Sequence, residues 1–172
     1  MKLLRSSYVI SLCTVLATAW LVGCTTIGST DPTSINFKLP KGSKLVLNRE
    51  VRIAGLYSHA KFQNGEQTPG VDQYQVNCNL EQQDLGPATI TPDTFLIKNS
   101  SSQREWVNHP HTMRFYKVFT LHSDKQPGVR KLICQDWDGP LIGGPVTMAE
   151  IQQALGDIFT FQFAPVTPAA AK

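Results

Sequence analysis

From Lys44 onward the apolar residues fall mostly two apart, in short runs broken by turn-forming residues, and this periodicity points to a β domain. Lys44 to Asn48 carries Leu45 and Leu47, and Glu50 to Ala54 carries Val51 and Ile53. Tyr57 to Phe62 runs into Asn64-Gly65, a hairpin turn signal. Asp72 to Gln82 sets Tyr74, Val76, Cys78 and Leu80 against Gln73, Gln75, Asn77 and Asn79, as a strand with one buried face does. Ala88 to Ile90 and Phe95 to Ile97 are expected as short strands around Pro92-Asp93, with Asn99 to Ser102 a polar loop. Thr112 to His122 is the longest expected strand. Met113, Phe115, Phe119 and Leu121 share one of its faces, and Lys117 is the exception among them. Val129 to Gln135 places Leu132 and Cys134 together, and Phe159, Phe161 and Phe163 alternate in a final strand.

Helical spacing is clear once. Thr147-Met148-Ala149-Glu150 matches a capping box, Met148, Ile151 and Leu155 fall on one face, and Gly156 ends the run. The expectation is therefore a mainly β fold, a compact antiparallel sandwich or partly open barrel, with one short C-terminal helix plugging an open end or side of the sheet.

The first residues set the location. Lys2 and Arg5 precede an uncharged run from Tyr8 to Val22, the pattern of a secretory signal. At roughly 15 residues the apolar run falls short of the ~20 that a spanning helix needs, which disfavours an uncleaved anchor. Leu21-Val22-Gly23-Cys24 resembles the bacterial lipobox, which implies a signal peptide over 1–23 and acylation of Cys24. Thr25 stands where an Asp typically retains such proteins in the inner membrane, so the resemblance implies the outer membrane, with the domain facing the periplasm. Several acyl chains, at ~0.8 kcal/mol per buried methylene, make such attachment effectively permanent. Residues 24–41, rich in Thr, Ser, Pro and Gly, are expected as a flexible tether, 42–163 as a single domain, and 164–172 as a disordered tail.

The chain holds four cysteines. With Cys13 in the signal and Cys24 acylated, Cys78 and Cys134 remain as an even pair in an oxidising compartment, and a disulfide is the leading expectation. Closing so long a loop corresponds to roughly 4 kcal/mol in the chain-entropy picture. Without Cys-x-x-Cys spacing, a redox-active pair is the weaker alternative. The formal charge of +3 includes Lys2 and Arg5, so the chain from Cys24 onward carries +1. Such a balance gives no electrostatic case for nucleic acid.

Chemistry-bearing motifs are few. His109-Pro110-His111 could offer two imidazoles to one metal ion, but a further ligand is required, and a proline-kinked loop accounts for the residues without a metal. No Gly-x-Ser-x-Gly elbow is present. Asp136 and Asp138 flank Trp137, an arrangement that a sugar-binding or glycan-cleaving site could use, although a turn around a packed tryptophan is the plainer expectation. Gly139 to Pro145 is glycine-rich yet lacks a phosphate-binding ending. Leu141 and Ile142 within it are expected to fold back over the core, with contact to a partner as the alternative.

With the lipobox, Phe62-Gln63-Asn64-Gly65, Val71-Asp72-Gln73-Tyr74, Cys78, Pro92-Asp93-Thr94-Phe95 and Leu132-Ile133-Cys134, the chain resembles small proteobacterial outer-membrane lipoproteins over about residues 42 to 163. That group brings no established activity to carry over. The resemblance implies a one-domain, periplasm-facing lipoprotein with paired cysteines. The expected function is a non-catalytic accessory or binding module that meets an envelope protein partner and needs no cofactor. The alternative is an envelope enzyme or metal-dependent protein acting on cell-wall or glycan material through His109, His111, Asp136 and Asp138.

Overall fold

A computed structural model describes Ser29 and residues 31–165. The elements are β1 (Lys44–Leu47), β2 (Val51–Ile53), β3 (His59–Gln63), β4 (Glu66–Thr68), β5 (Asn77–Gln82), β6 (Ala88–Ile90), β7 (Asp93–Asn108), β8 (Thr112–His122), β9 (Val129–Asp138), α1 (Met148–Leu155) and β10 (Phe159–Gln162). Eight strands form one antiparallel sheet in the order β10-β1-β7-β8-β9-β5-β3-β4, curled into a half-barrel. β2 and β6 pair separately. The mainly β expectation holds, in its partly open barrel form, with one short helix near the C-terminus.

The inward residues are those that the alternation marks. Leu45, Leu47, Phe62, Cys78, Leu80, Phe95, Phe119, Leu132 and Phe159 are buried in one core. Phe62 and Phe159 meet edge to face at 5.3 Å. Helix α1 contributes Met148, Ile151, Ala154 and Leu155 to that core. It packs on β10 at one end of the strand order and on β5 and β3 toward the other, so it spans the seam of the half-barrel. Its start is fixed by the capping box: Thr147 Oγ1 accepts from the Glu150 backbone N–H while the Glu150 carboxylate accepts from the Thr147 N–H.

Two glycines let the helix end meet the β3–β4 hairpin. Asn64 and Gly65 both have positive φ, as a tight two-residue hairpin turn requires, and the Gly65 N–H donates to the Ala154 carbonyl at 3.0 Å. A Cβ on Gly156 would lie 2.6 Å from the Gly65 Cα, so a larger residue there would push hairpin and helix apart.

The disulfide is formed. Cys78 and Cys134 stand directly opposite each other on β5 and β9, with Cα atoms 4.0 Å apart and both side chains fully buried. It ties neighbouring strands of one sheet rather than crossing the core between layers.

Several local expectations change. Asn99 to Ser102 is not a loop: β7 runs unbroken through it and pairs with β8 as far as Asn108↔Thr112, with register shifts after Ile97 and Trp106. The segment is polar because it lies beyond β1, where both faces meet solvent more freely. The strand over Asp72 to Gln82 begins only at Asn77. Before it, the Asp72 carboxylate and carbonyl accept from the Tyr74 and Gln75 backbone N–H groups, and this turn leaves Tyr74 65% exposed. Leu141 and Ile142 do not fold back over the core; they are 96% and 82% exposed.

Of the segment expected as a tether, residues 31–41 lie against the domain. Phe37 is buried, Leu39 packs on the core, and the Met148 N–H donates to the Pro32 carbonyl at 3.2 Å. Phe37 also meets Phe163 edge to face at 5.2 Å. Burial of Phe37 and Leu39 supplies the driving force, while Ile35 stays 57% exposed. The expected signal peptide, Cys24, and the tail beyond residue 165 lie outside the described residues.

Candidate functional site

The expected Asp136, Trp137 and Asp138 cluster is divided by the pleat of β9. Asp136 stands opposite Phe115 and Asp138 opposite Met113, on the inner face of the half-barrel, while Trp137 stands opposite Arg114 on the outer face. On the outside, Trp137 is covered by the 72–76 turn: its backbone N–H donates to the Gln73 carbonyl at 2.7 Å and its indole ring lies 6.0 Å from that of Tyr74. Gln135, two residues earlier on the same face, donates to the Gln73 side-chain oxygen at 2.7 Å. The Trp137 Nε1 and Arg114 Nε atoms are buried without partners among the described residues.

On the inside, the Asp136 pKa is raised to about 6, first by burial and then by the negative charges of Glu150 and Asp138. Its Oδ1 is buried and unpartnered among the described residues. Asp138 is committed to a turn, accepting from the Gly139 N–H at 2.6 Å. The 139–146 loop then closes down, and a Cβ on Gly143 would lie 2.4 Å from the Phe115 ring. Asp136 therefore has the proton affinity of a general acid near neutral pH, but neither cavity described below is lined by it or by Asp138.

His109 and His111 sit in the β7–β8 turn, where the His111 N–H donates to the Asn108 carbonyl at 2.7 Å and the His109 ring meets Trp106 at 4.5 Å. His122 pairs with Asp124 at 3.2 Å. Among the described residues no three His, Cys, Asp or Glu side chains gather as metal ligands.

The concavity richest in unbalanced charge among the described residues lies elsewhere. A cavity of about 740 Å³ opens between residues 35–41 and the start of the free part of β7, 97–102, and is floored by Lys117, Phe119 and Met148. It exists because β1 pairs with β7 only over Asp93 to Leu96, after which the preceding chain diverges from the β7 edge. Lys38, Lys41, Lys98 and Lys117 line it, and no carboxylate does. Lys117 is 6% exposed, and burial holds its pKa below the usual lysine value. Among the described residues it pairs with no carboxylate. A second, shallower cavity between β1 and the 122–125 turn mixes charges, with Asp93 held by the Ser123 hydroxyl and Gln126 amide.

The sequence marks Lys117 as the charged residue on an apolar face, but the cavity's other wall is hidden in a segment whose composition reads as a tether. The signal available there is the spacing of Ile35, Phe37 and Leu39. No protein family, curated protein or solved structure matches the chain.

Proposed function

We propose that this chain is a lipid-anchored envelope protein of the outer membrane, acting as a non-catalytic binding module toward the periplasm. The observation that carries the reading is the lysine-lined cavity, walled by the same segment that leads back toward Cys24. Its volume falls within the ~300–1,000 Å³ of small-molecule sites, and its convergent polar groups set in an apolar wall are the features such sites share. The lipobox resemblance and the buried Cys78–Cys134 disulfide agree with an oxidising compartment. A partner protein would meet the free edge of β7 or the exposed Leu141 and Ile142.

Two measurements test it. Cys24→Ala should abolish lipid labelling and membrane fractionation; a variant that keeps both contradicts the anchor. Crosslinking of the lipidated protein in living cells, followed by mass spectrometry, should recover a discrete envelope partner or ligand. Recovery of wall or glycan fragments alone would instead support the enzymatic alternative, whose one favouring observation is the Asp136 pKa near 6. That alternative requires Asp136→Asn to abolish function, whereas the binding-module reading expects function to persist.

A further inference from the structure

The cavity's chemistry is uneven in an informative way. Four lysines line it without a carboxylate to balance them, and the ammonium of Lys117 sits on the inner face of β8 between apolar neighbours. With no carboxylate partner among the described residues, the partly desolvated Lys117 ammonium gains from an anion that joins it in the cavity. Around the lysines the lining is mixed: Asn36, Asn99 and Ser100 to Ser102 are polar, while Ile35, Leu39 and Pro40 of the N-terminal segment supply an apolar wall, Ile35 being 57% exposed. A small inorganic anion would leave that apolar wall unused, and a neutral chain would leave the lysines unused.

The position of the cavity adds an independent argument, which rests on the lipid-anchor reading. Phe37 is bridged to Ser29, and Ser29 is five residues from Cys24. A fully extended chain of that length spans at most about 17 Å. The strand bridge therefore holds one wall of the cavity within a short reach of the membrane surface, where single-chain amphiphiles partition.

We propose that this cavity binds an anionic single-chain amphiphile, with a carboxylate or phosphate head held by Lys117, Lys38, Lys41 and Lys98 and its acyl chain laid against Ile35 and Leu39. The anion would give the Lys117 ammonium a charged partner.

The test is photolabelling of the mature lipidated protein in phosphatidylcholine nanodiscs. The probes are diazirine-bearing hexadecanoate, hexadecyl phosphate and hexadecanol. The expected result is labelling of residues 35–41 and 97–102 by one or both anions at least tenfold above the alcohol, with the stronger anion identifying the head group. Lys117→Met should lower that labelling at least tenfold, and Lys131→Met, on the exposed face of β9, should leave it unchanged. Should Lys117→Met fail to fold, Lys38→Met combined with Lys98→Met changes only exposed side chains and should lower labelling three- to tenfold. Equal labelling by the alcohol overturns the proposal, as does labelling confined to other surfaces. Competition by inorganic phosphate as strong as by hexadecyl phosphate also overturns it, because the site would then be one for a free anion. A lipidated, membrane-bound protein whose cavity no probe labels defeats the ligand assignment alone; a mature protein without lipid on Cys24 defeats the anchor reading.

Discussion

The two ends of the half-barrel belong to one sheet but differ in what their inner faces carry. Where α1 spans the seam, Phe62, Phe159, Ile151 and Leu155 are all buried to 0% exposure, and the disulfide ties β5 to β9 beneath them. Where β7 and β8 run on past β1, the inner face carries Lys117 and Asp136 among Phe115 and Met113, and β7 is paired on one side only. The first region is filled by apolar side chains, and among the described residues no charged group is buried in it. The second retains one buried cation and one half-buried acid that do not face each other as an ion pair. Charges kept inside a domain carry a stability cost, which makes the second region the candidate for a binding site.

That contrast can be broken by mutation. Phe62→Ala, at the closed end, should cost about 4 kcal/mol, whereas Met113→Ala at the open end should cost about 2 kcal/mol, because the open trough relaxes around the lost atoms. Denaturant melts of both variants check this, and equal losses would erase the distinction. Replacing Cys78 and Cys134 together by Ala should cost roughly 3 kcal/mol, since the loop between them is then free in the unfolded chain. A loss below about 1 kcal/mol would show that packing alone holds the closed end.

Asp136 gives a pH-resolved test of the open end. A carboxyl whose folded pKa is about 6 binds its proton more tightly folded than unfolded, so it lowers stability increasingly as pH rises from about 4 through 6. Asp136→Asn should therefore raise stability at pH 7 by about 1 to 2 kcal/mol, allowing for solvent screening of a half-buried group, and the gain should vanish by about pH 4. A pH-independent gain would mean that the amide acts through packing. Thr147→Ala should cost about 1 kcal/mol through loss of the N-cap, read as a fall in melting temperature. An unchanged melting temperature would show that tertiary contacts alone hold the start of α1.

The closed end was largely legible from residue order. Leu45 and Leu47, Cys78 and Leu80, and Phe159 obey strict alternation because one face is buried against the core, and the Thr147 to Gly156 signals bracket α1 to the residue. The open end was not legible by the same means. Ser100 to Gln103 form a strand through pairing with β8, a tertiary cause that local polarity conceals. Tyr74 keeps the alternation but sits in a turn made by Asp72, whose side chain competes with strand pairing. Asp136 and Trp137 are adjacent in sequence yet face opposite sides of the sheet, so their proximity along the chain misrepresents the site. Lys117 alone carried a usable signal, a charge at an inward position, while its facing wall at residues 35–41 could be placed only by the fold.

Hydrogen exchange of the full lipidated protein in phosphatidylcholine nanodiscs, with and without hexadecanoate, tests most directly whether the open end binds and the closed end holds. The account predicts that added hexadecanoate slows exchange in residues 35–41 and 97–102, with α1, β3 and β5 already slow and unchanged. Slowing confined to the closed end, or none in the open end, would contradict it.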